Sequence, residues 1–176
     1  MRTFFLHSPF DEASLYELNI GDRVFLSGKV LTARDAAHMR FAAEITDGRS
    51  RPELVGATIY YCGPCPGTTG SPILSAGPTT SGRMDPYTAM LLGYGVRAVI
   101  GKGPRSREVY QALRENRAVY LVATGGAGAL LAESILSSRV LAYPDLGPEA
   151  VLELVVRDMP LIVGTDLHGG VIYNSL

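Results

Sequence analysis

At 176 residues with 47% hydrophobic content, the chain can bury one sizeable core and is short for two. Its 16 Lys and Arg against 17 Asp and Glu give a formal charge of −1, which excludes a global basic field for nucleic acid or an anionic membrane and makes any functional cations local. No apolar run approaches the roughly 20 residues that span a bilayer. The opening MRTFFLHSPFDE lacks a signal-peptide core with a small-residue cleavage site, so a cytoplasmic protein is expected.

Residues 1–19 read as a lead-in with a short strand at Thr3 to Leu6, and Gly21-Asp22 turns into an alternating strand from Val24 to Leu31. Thr32 is the expected cap of a helix from about Ala33 to Thr46, with Ala37, Phe41 and Ile45 as its buried stripe. Arg34 and His38 lie one turn apart beside that stripe, at the end where the helix dipole favours an anion. They read either as a ligand-facing pair or as ordinary solvated residues.

Thr58 to Tyr61 is a short strand, followed by YYCGPCPG with the only two cysteines, Cys62 and Cys65. One CxxC supplies half of a closed zinc or cluster ligand set, and the interleaved Pro64 and Pro66 disfavour the helix that a thioredoxin-like motif opens. Small buried or turn residues are the favoured reading.

The segment Gly77 to Asp85, GPTTSGRMD, concentrates the most chemistry. Gly77, Pro78 and Gly82 specify a tight path, Thr79, Thr80 and Ser81 offer hydroxyls, and Arg83 brings a fork matched to a carboxylate. Asp85-Pro86 is the expected N-cap and first turn of a helix ending near Gly93 or Gly95. Composition leaves two readings, an anion-binding turn or a plain one.

Beyond it the pattern becomes regular, with strands at Val96 to Ile100, Ala118 to Ala123 and Val140 to Tyr143. They alternate with helices at Ser106 to Asn116 and Gly125 to Leu136. Such alternation implies βαβ crossovers and a parallel sheet. Val151 to Val156, Leu161 to Val163 and Val171 to Tyr173 read as antiparallel edge elements of a second, smaller sheet. TGGAGALLAES fails the dinucleotide fingerprint at Leu131, and GKG at Gly101 to Gly103 lacks the flanks of a phosphate-binding loop. Lys102 nevertheless stands at a strand's C-terminal end, where α/β sheets place ligands; a solvated loop lysine is the alternative.

The runs LNIGDRVFLSGKVLTARDAAHMR, GPTTSGRMDPY, GVRAVIGKG and AVYLVATGGAGAL, with GPEA at Gly147 to Ala150 and the pattern at Asp166 and Gly169, resemble the C-terminal portion or β subunit of class I fumarases and L-tartrate dehydratases. The resemblance implies an α/β swivelling β/β/α three-layer domain over residues 1–176, with a mainly parallel sheet and a smaller second one. It also implies reversible hydration of fumarate to malate, or the related tartrate dehydration, at an oxygen-sensitive four-iron four-sulfur cluster. In that family three cysteines of the α portion hold the cluster, so this chain is expected to be one subunit of a hetero-oligomer with a dimeric core, to bind no cluster alone and to act on a dicarboxylate with its α partner. A non-catalytic dicarboxylate-binding domain is the competing reading. By the same resemblance Arg34, Arg83 and Lys102 bind substrate carboxylates, Thr79 abstracts the proton, and Thr80 and His38 complete the substrate contacts, His38 by orienting Arg34 or touching substrate at the rim.

Overall fold

A computed structural model of the chain describes residues 1–68 and 70–173. Among these described residues nine strands and five helices occur in the order β1 (Thr3–Ser8), α1 (Glu12–Tyr16), β2 (Arg23–Thr32), α2 (Asp35–Thr46), β3 (Thr58–Tyr60), β4 (Cys65–Thr68), β5 (Ser71–Ser75), α3 (Asp85–Tyr94), β6 (Ala98–Gly101), α4 (Arg107–Glu115), β7 (Val119–Val122), α5 (Gly128–Glu133), β8 (Ile135–Ala142) and β9 (Val151–Thr165). All but β4 and β5 join one seven-stranded sheet in the order β1-β2-β3-β6-β7-β9-β8, in which β1, β2, β3, β6 and β7 run parallel.

The central parallel strands β3, β6 and β7 are buried on both faces, as strands covered by helices must be, whereas the edge strand β1 exposes Thr3, Phe5 and His7. Tyr60, Ala98, Ile100, Val119 and Leu121 point into a cluster with Leu6, Val24, Leu26, Leu154, Met159 and Val163. The alternate residues Ile59, Val99 and Tyr120 meet Ala37 and Phe41 of α2, Leu91 and Leu92 of α3, and Val109 and Leu113 of α4. Each of these helices crosses between parallel strands, so all the strand C-termini open on one edge, and that edge carries the candidate site.

The final third differs from expectation. Instead of two short edge elements, β9 is one strand of fifteen residues inside the main sheet, antiparallel to β8, β2 and β7. Because it pairs with both β2 and β7, it closes β2-β3-β6-β7-β9 into a ring. A bulge interrupts its ladder with β2: Leu26 and Gly28 oppose Met159 and Val156, so Arg157 and Asp158 together face the single residue Ser27. Gly28 sits at φ +99°, and a Cβ there would overlap the Ser8 carbonyl oxygen, so no other residue fits without displacing β1. Val171 makes only a single bridge to Thr165. The smaller second sheet is instead the β4–β5 hairpin, in the Cys/Pro/Gly stretch expected to be loop.

Three helix boundaries also depart from expectation. Thr32 stays in β2, its hydroxyl accepting from Leu152 N at 3.0 Å, while Arg34 becomes the α2 cap residue without a side-chain cap bond. Its role passes to Glu149, whose carboxylate accepts from Ala36 N at 2.9 Å. Asp85 is the first residue of α3 rather than its cap, because the tight turn Ser81–Met84 runs straight into the helix. Finally α5 ends at Glu133, and the chain continues as β8, which pairs along β9 from Ile135. A short helix α1, capped by Asp11, interrupts the lead-in.

Candidate active site

Backbone hydrogen bonds extend the strand ladder beyond the strands themselves. Ala33 N donates to Tyr60 O at 3.0 Å, Tyr61 N to Ile100 O at 2.8 Å and Ala123 N to Gly101 O at 2.8 Å. The segment Gly77 to Met84 threads between two of these ends, with Thr79 N donating to Tyr61 O at 2.7 Å and Ser81 N to Lys102 O at 2.9 Å. Thr80 forms a parallel bridge with Lys102. Thr79 is half-buried, Thr80 exposed and Lys102 half-buried, with Gly125 alongside: a Cβ on Gly125 would lie 3.7 Å from Lys102 Nζ. Among the described residues Lys102 makes no ion pair.

Arg34 and Arg83 meet at one carboxylate. Arg83 donates from Nε and Nη2 to the two oxygens of Asp35 at 3.0 and 2.8 Å, a two-pronged pair that leaves its Nη1 side free for another acceptor. Arg34 lies 3.8 Å from Asp35 and 3.5 Å from Glu149, and its Nε is buried without a hydrogen-bond partner among the described residues. Gly63 lets the CxxC loop approach it closely: a Cβ there would stand 3.0 Å from Arg34 Nη1, so a larger residue would make the arginine shift by a few tenths of an ångström.

His38 lies beneath this layer, 1% exposed, its Nδ1 donating to Arg34 O at 2.9 Å and its ring edge-on to Tyr61 at 5.2 Å. That acceptor fixes the tautomer with the proton on Nδ1. Burial, reinforced by the nearby Arg105 cation and opposed by the Arg34 carbonyl and Asp35, lowers its pKa to about 4, so the ring is neutral near pH 7.

Cys62 is buried in the strand-side cluster and Cys65 is exposed; both are free, and burial pushes the Cys62 thiol up to about 12. Among the described residues no group of three His, Cys, Asp or Glu is disposed to hold a metal ion. One thiol that resists ionisation and one exposed thiol do not fit a four-iron cluster.

Sequence reasoning did not single out Asp35, Glu149 or Arg105. Asp35 follows Arg34 in TARDAAH, and the adjacency was a usable signal. Glu149 and Arg105 act over 113 and 17 to 44 positions in sequence, which no local pattern reports.

The arrangement presents two guanidinium groups, an ammonium and two hydroxyls at one edge, partly balanced by two carboxylates. Guanidinium and ammonium groups grouped in this way are chemically suited to carboxylates. The chain belongs to the family described as Fumarase C-terminus, which matches residues 2–176. It is 36% identical over 175 residues to Fumarate hydratase 2 of Leishmania major and 35% identical over 176 residues to the anaerobic class I fumarate hydratase of Escherichia coli K12, covering 97% of this chain in each case. It spans only 31% and 32% of those two proteins. A provisionally named L(+)-tartrate dehydratase subunit beta of Methanocaldococcus jannaschii is 37% identical over 167 residues, covering 91% of this chain and 86% of that protein. No helix among the described residues is long and apolar enough to cross a membrane.

Proposed function

We propose that this chain is the β subunit of a heteromeric hydro-lyase that interconverts fumarate and malate in the cytoplasm, residues 1–176 acting as one swivelling β/β/α domain. The observation that carries this reading is the convergence of Arg34, of Thr79 and Arg83, and of Lys102, from three separate segments, on one edge of the sheet. The similarity to a relative named as a tartrate dehydratase subunit beta supports a separate α partner. It also favours a second reading, in which tartrate is the substrate, because the identity to that relative is as high as to the fumarases.

Dehydrating malate removes a proton from the carbon beside a carboxylate and expels hydroxide, so negative charge accumulates on that carboxylate. Arg83, already oriented by Asp35, and Lys102 would hold it, while Arg34 would hold the second carboxylate. Thr79, its backbone fixed to Tyr61, would take the proton; a threonine hydroxyl serves only if neighbouring cations lower its pKa. The cluster implied by the family would supply a Lewis acid for the hydroxyl, and its ligands would belong to the α partner. His38 would act through Arg34, whose carbonyl it engages.

The test is co-expression with a cluster-bearing α chain. Anaerobic activity toward fumarate or tartrate from the pair, with neither chain active alone, supports the reading. Comparable activity from this chain alone, reconstituted with iron and sulfide, refutes the division of labour.

A further inference from the structure

Beneath the site lies a charged group that the proposed chemistry does not use. The Arg105 side chain is fully buried, and its Nε donates to Asp85 Oδ1 at 2.7 Å. Its Nη2 donates to Thr88 Oγ1 at 2.8 Å and Tyr61 OH at 3.3 Å. The guanidinium carbon stands 5.2 Å from the Tyr61 ring centre and 5.3 Å from that of Tyr120. Ser106 N donates to the other oxygen of Asp85 at 2.6 Å, so the carboxylate is gripped from both sides. Arg105 Nη1 has no partner among the described residues. A buried ion pair with an unpartnered donor is a costly way to fill space, and an apolar side chain of similar volume often serves stability as well or better. The position therefore calls for a reason other than stability.

That reason lies in what the pair connects. Asp85 terminates the segment carrying Thr79, Thr80 and Arg83, Arg105 follows Lys102 by three residues, and Tyr61 supplies the carbonyl that holds Thr79 N. Tyr120 adds a second strut, donating to Gly103 O at 2.8 Å while sharing a 2.9 Å hydrogen bond with Ser81 Oγ. Arg105 thus ties together the three loop bases on which the proposed substrate groups stand.

We propose that Arg105 and Asp85 are a positioning pair that sets the separation between the Lys102 loop and the Thr79–Arg83 loop, and so the span of the dicarboxylate the site accepts. This rests on the functional reading above. Neither residue touches substrate: Arg105 is fully enclosed, and Asp85 spends both oxygens on it and on Ser106.

The experiment pairs native-state hydrogen exchange on the full chain with kinetics of the assembled two-chain enzyme, for Arg105→Met, Arg105→Lys and Asp85→Asn. In Arg105→Met the amides of Thr79 and Ser81, which bridge the loops, are expected to exchange at least about tenfold faster, while Val99 and Leu121 in the core strands stay within about threefold. KM for fumarate should rise by about tenfold or more with a smaller change in kcat, and Arg105→Lys should recover part of both. Asp85→Asn, which keeps the volume, should show the same selective pattern and carries the test if Arg105→Met does not fold. Uniform acceleration of all amides, no acceleration, or an unchanged KM overturns the proposal. Parent-like Arg105 variants beside an inactive Arg83→Ala would overturn the positioning pair and spare the functional reading. A parent inactive toward fumarate and tartrate with its α chain would overturn the functional reading, and the exchange pattern then decides the pair by itself.

Discussion

Gly101→Ala tests whether the two site loops are held at the separation described. Gly101 ends β6, and a Cβ there would overlap Ser81 Oγ and come within 2.9 Å of Tyr61 Cδ2 and 3.3 Å of Ser81 Cβ. Ser81 would have to turn away, losing its 2.9 Å hydrogen bond to the Tyr120 hydroxyl, a cost of about 1 kcal/mol. The Tyr61 ring sits inside ordinary contact distance and is backed by His38 and Arg105, so it cannot retreat freely; overpacking of this kind costs about 1–3 kcal/mol. Together these predict a loss of about 2–4 kcal/mol, read by urea denaturation, or roughly 5–15 °C in Tm for a chain of this size. Ser81→Ala alone should cost about 1 kcal/mol, since the Tyr120 hydroxyl keeps Gly103 O. The double variant Ser81→Ala/Gly101→Ala should be more stable than Gly101→Ala alone by about 1 kcal/mol, because the overlapping oxygen is gone. Strictly additive costs, or a Gly101→Ala protein within about 0.5 kcal/mol of the parent, would refute the packing argument.

Arg83→Lys keeps the charge but loses the fork, so it should lower kcat/KM by about 10- to 1000-fold while costing under about 1 kcal/mol of stability, its pair with Asp35 being half exposed. A Lys variant as active as the parent removes Arg83 from substrate binding. Thr79→Val should lower kcat by about 100-fold or more with Thr79→Ser partly active and Thr80→Val much less affected; activity of Thr79→Val within about tenfold of the parent assigns the base elsewhere. His38, neutral in the fold with a pKa near 4, binds a proton more readily once the chain unfolds. Stability should therefore fall as pH drops from about 6.5 to 4, by up to about 1.4 kcal/mol per unit from this group, and be insensitive to it above pH 7. His38→Asn, which can still donate to the Arg34 carbonyl, should show a correspondingly shallower slope in denaturation between pH 6 and 4.5; an identical slope excludes the buried imidazole as its source.

The parallel core was legible because Ala98 to Ile100 and Ala118 to Ala123 are continuous apolar runs set between helical patterns, and they emerged within β6 and β7. The loop Gly77 to Asp85 was legible from composition, and its place between two strand ends follows from backbone bonds that sequence does not encode locally. β9 was not legible as one strand, since Arg157, Asp158 and Pro160 interrupt its apolar alternation and the ladder continues past Arg157 and Asp158 only through the bulge opposite Ser27. The β4–β5 hairpin was hidden by the prolines and glycines of its own strands, residues depleted from most sheets. In the candidate site, the cations stood out as motif residues. The carboxylates that orient them did not, because Asp35 reaches Arg83 across 48 positions and Glu149 reaches Ala36 across 113.

The ring closed by β9 also dictates the order of events as the polypeptide is made. Arg23 pairs with Ile162 and Leu31 with Glu153, so β2 waits for more than a hundred residues of synthesis before its neighbour exists. Until then β2 and β7 each present an unpaired edge, and the apolar residues that face β9 remain in water. Long-range pairing of this kind delays collapse to the native topology and lengthens the interval in which open edges can capture one another. Chains halted anywhere before Thr165 are therefore expected to aggregate rather than to yield a smaller folded unit, and a chaperone that shields strand edges should raise the yield of this polypeptide more than that of a helical chain of equal length.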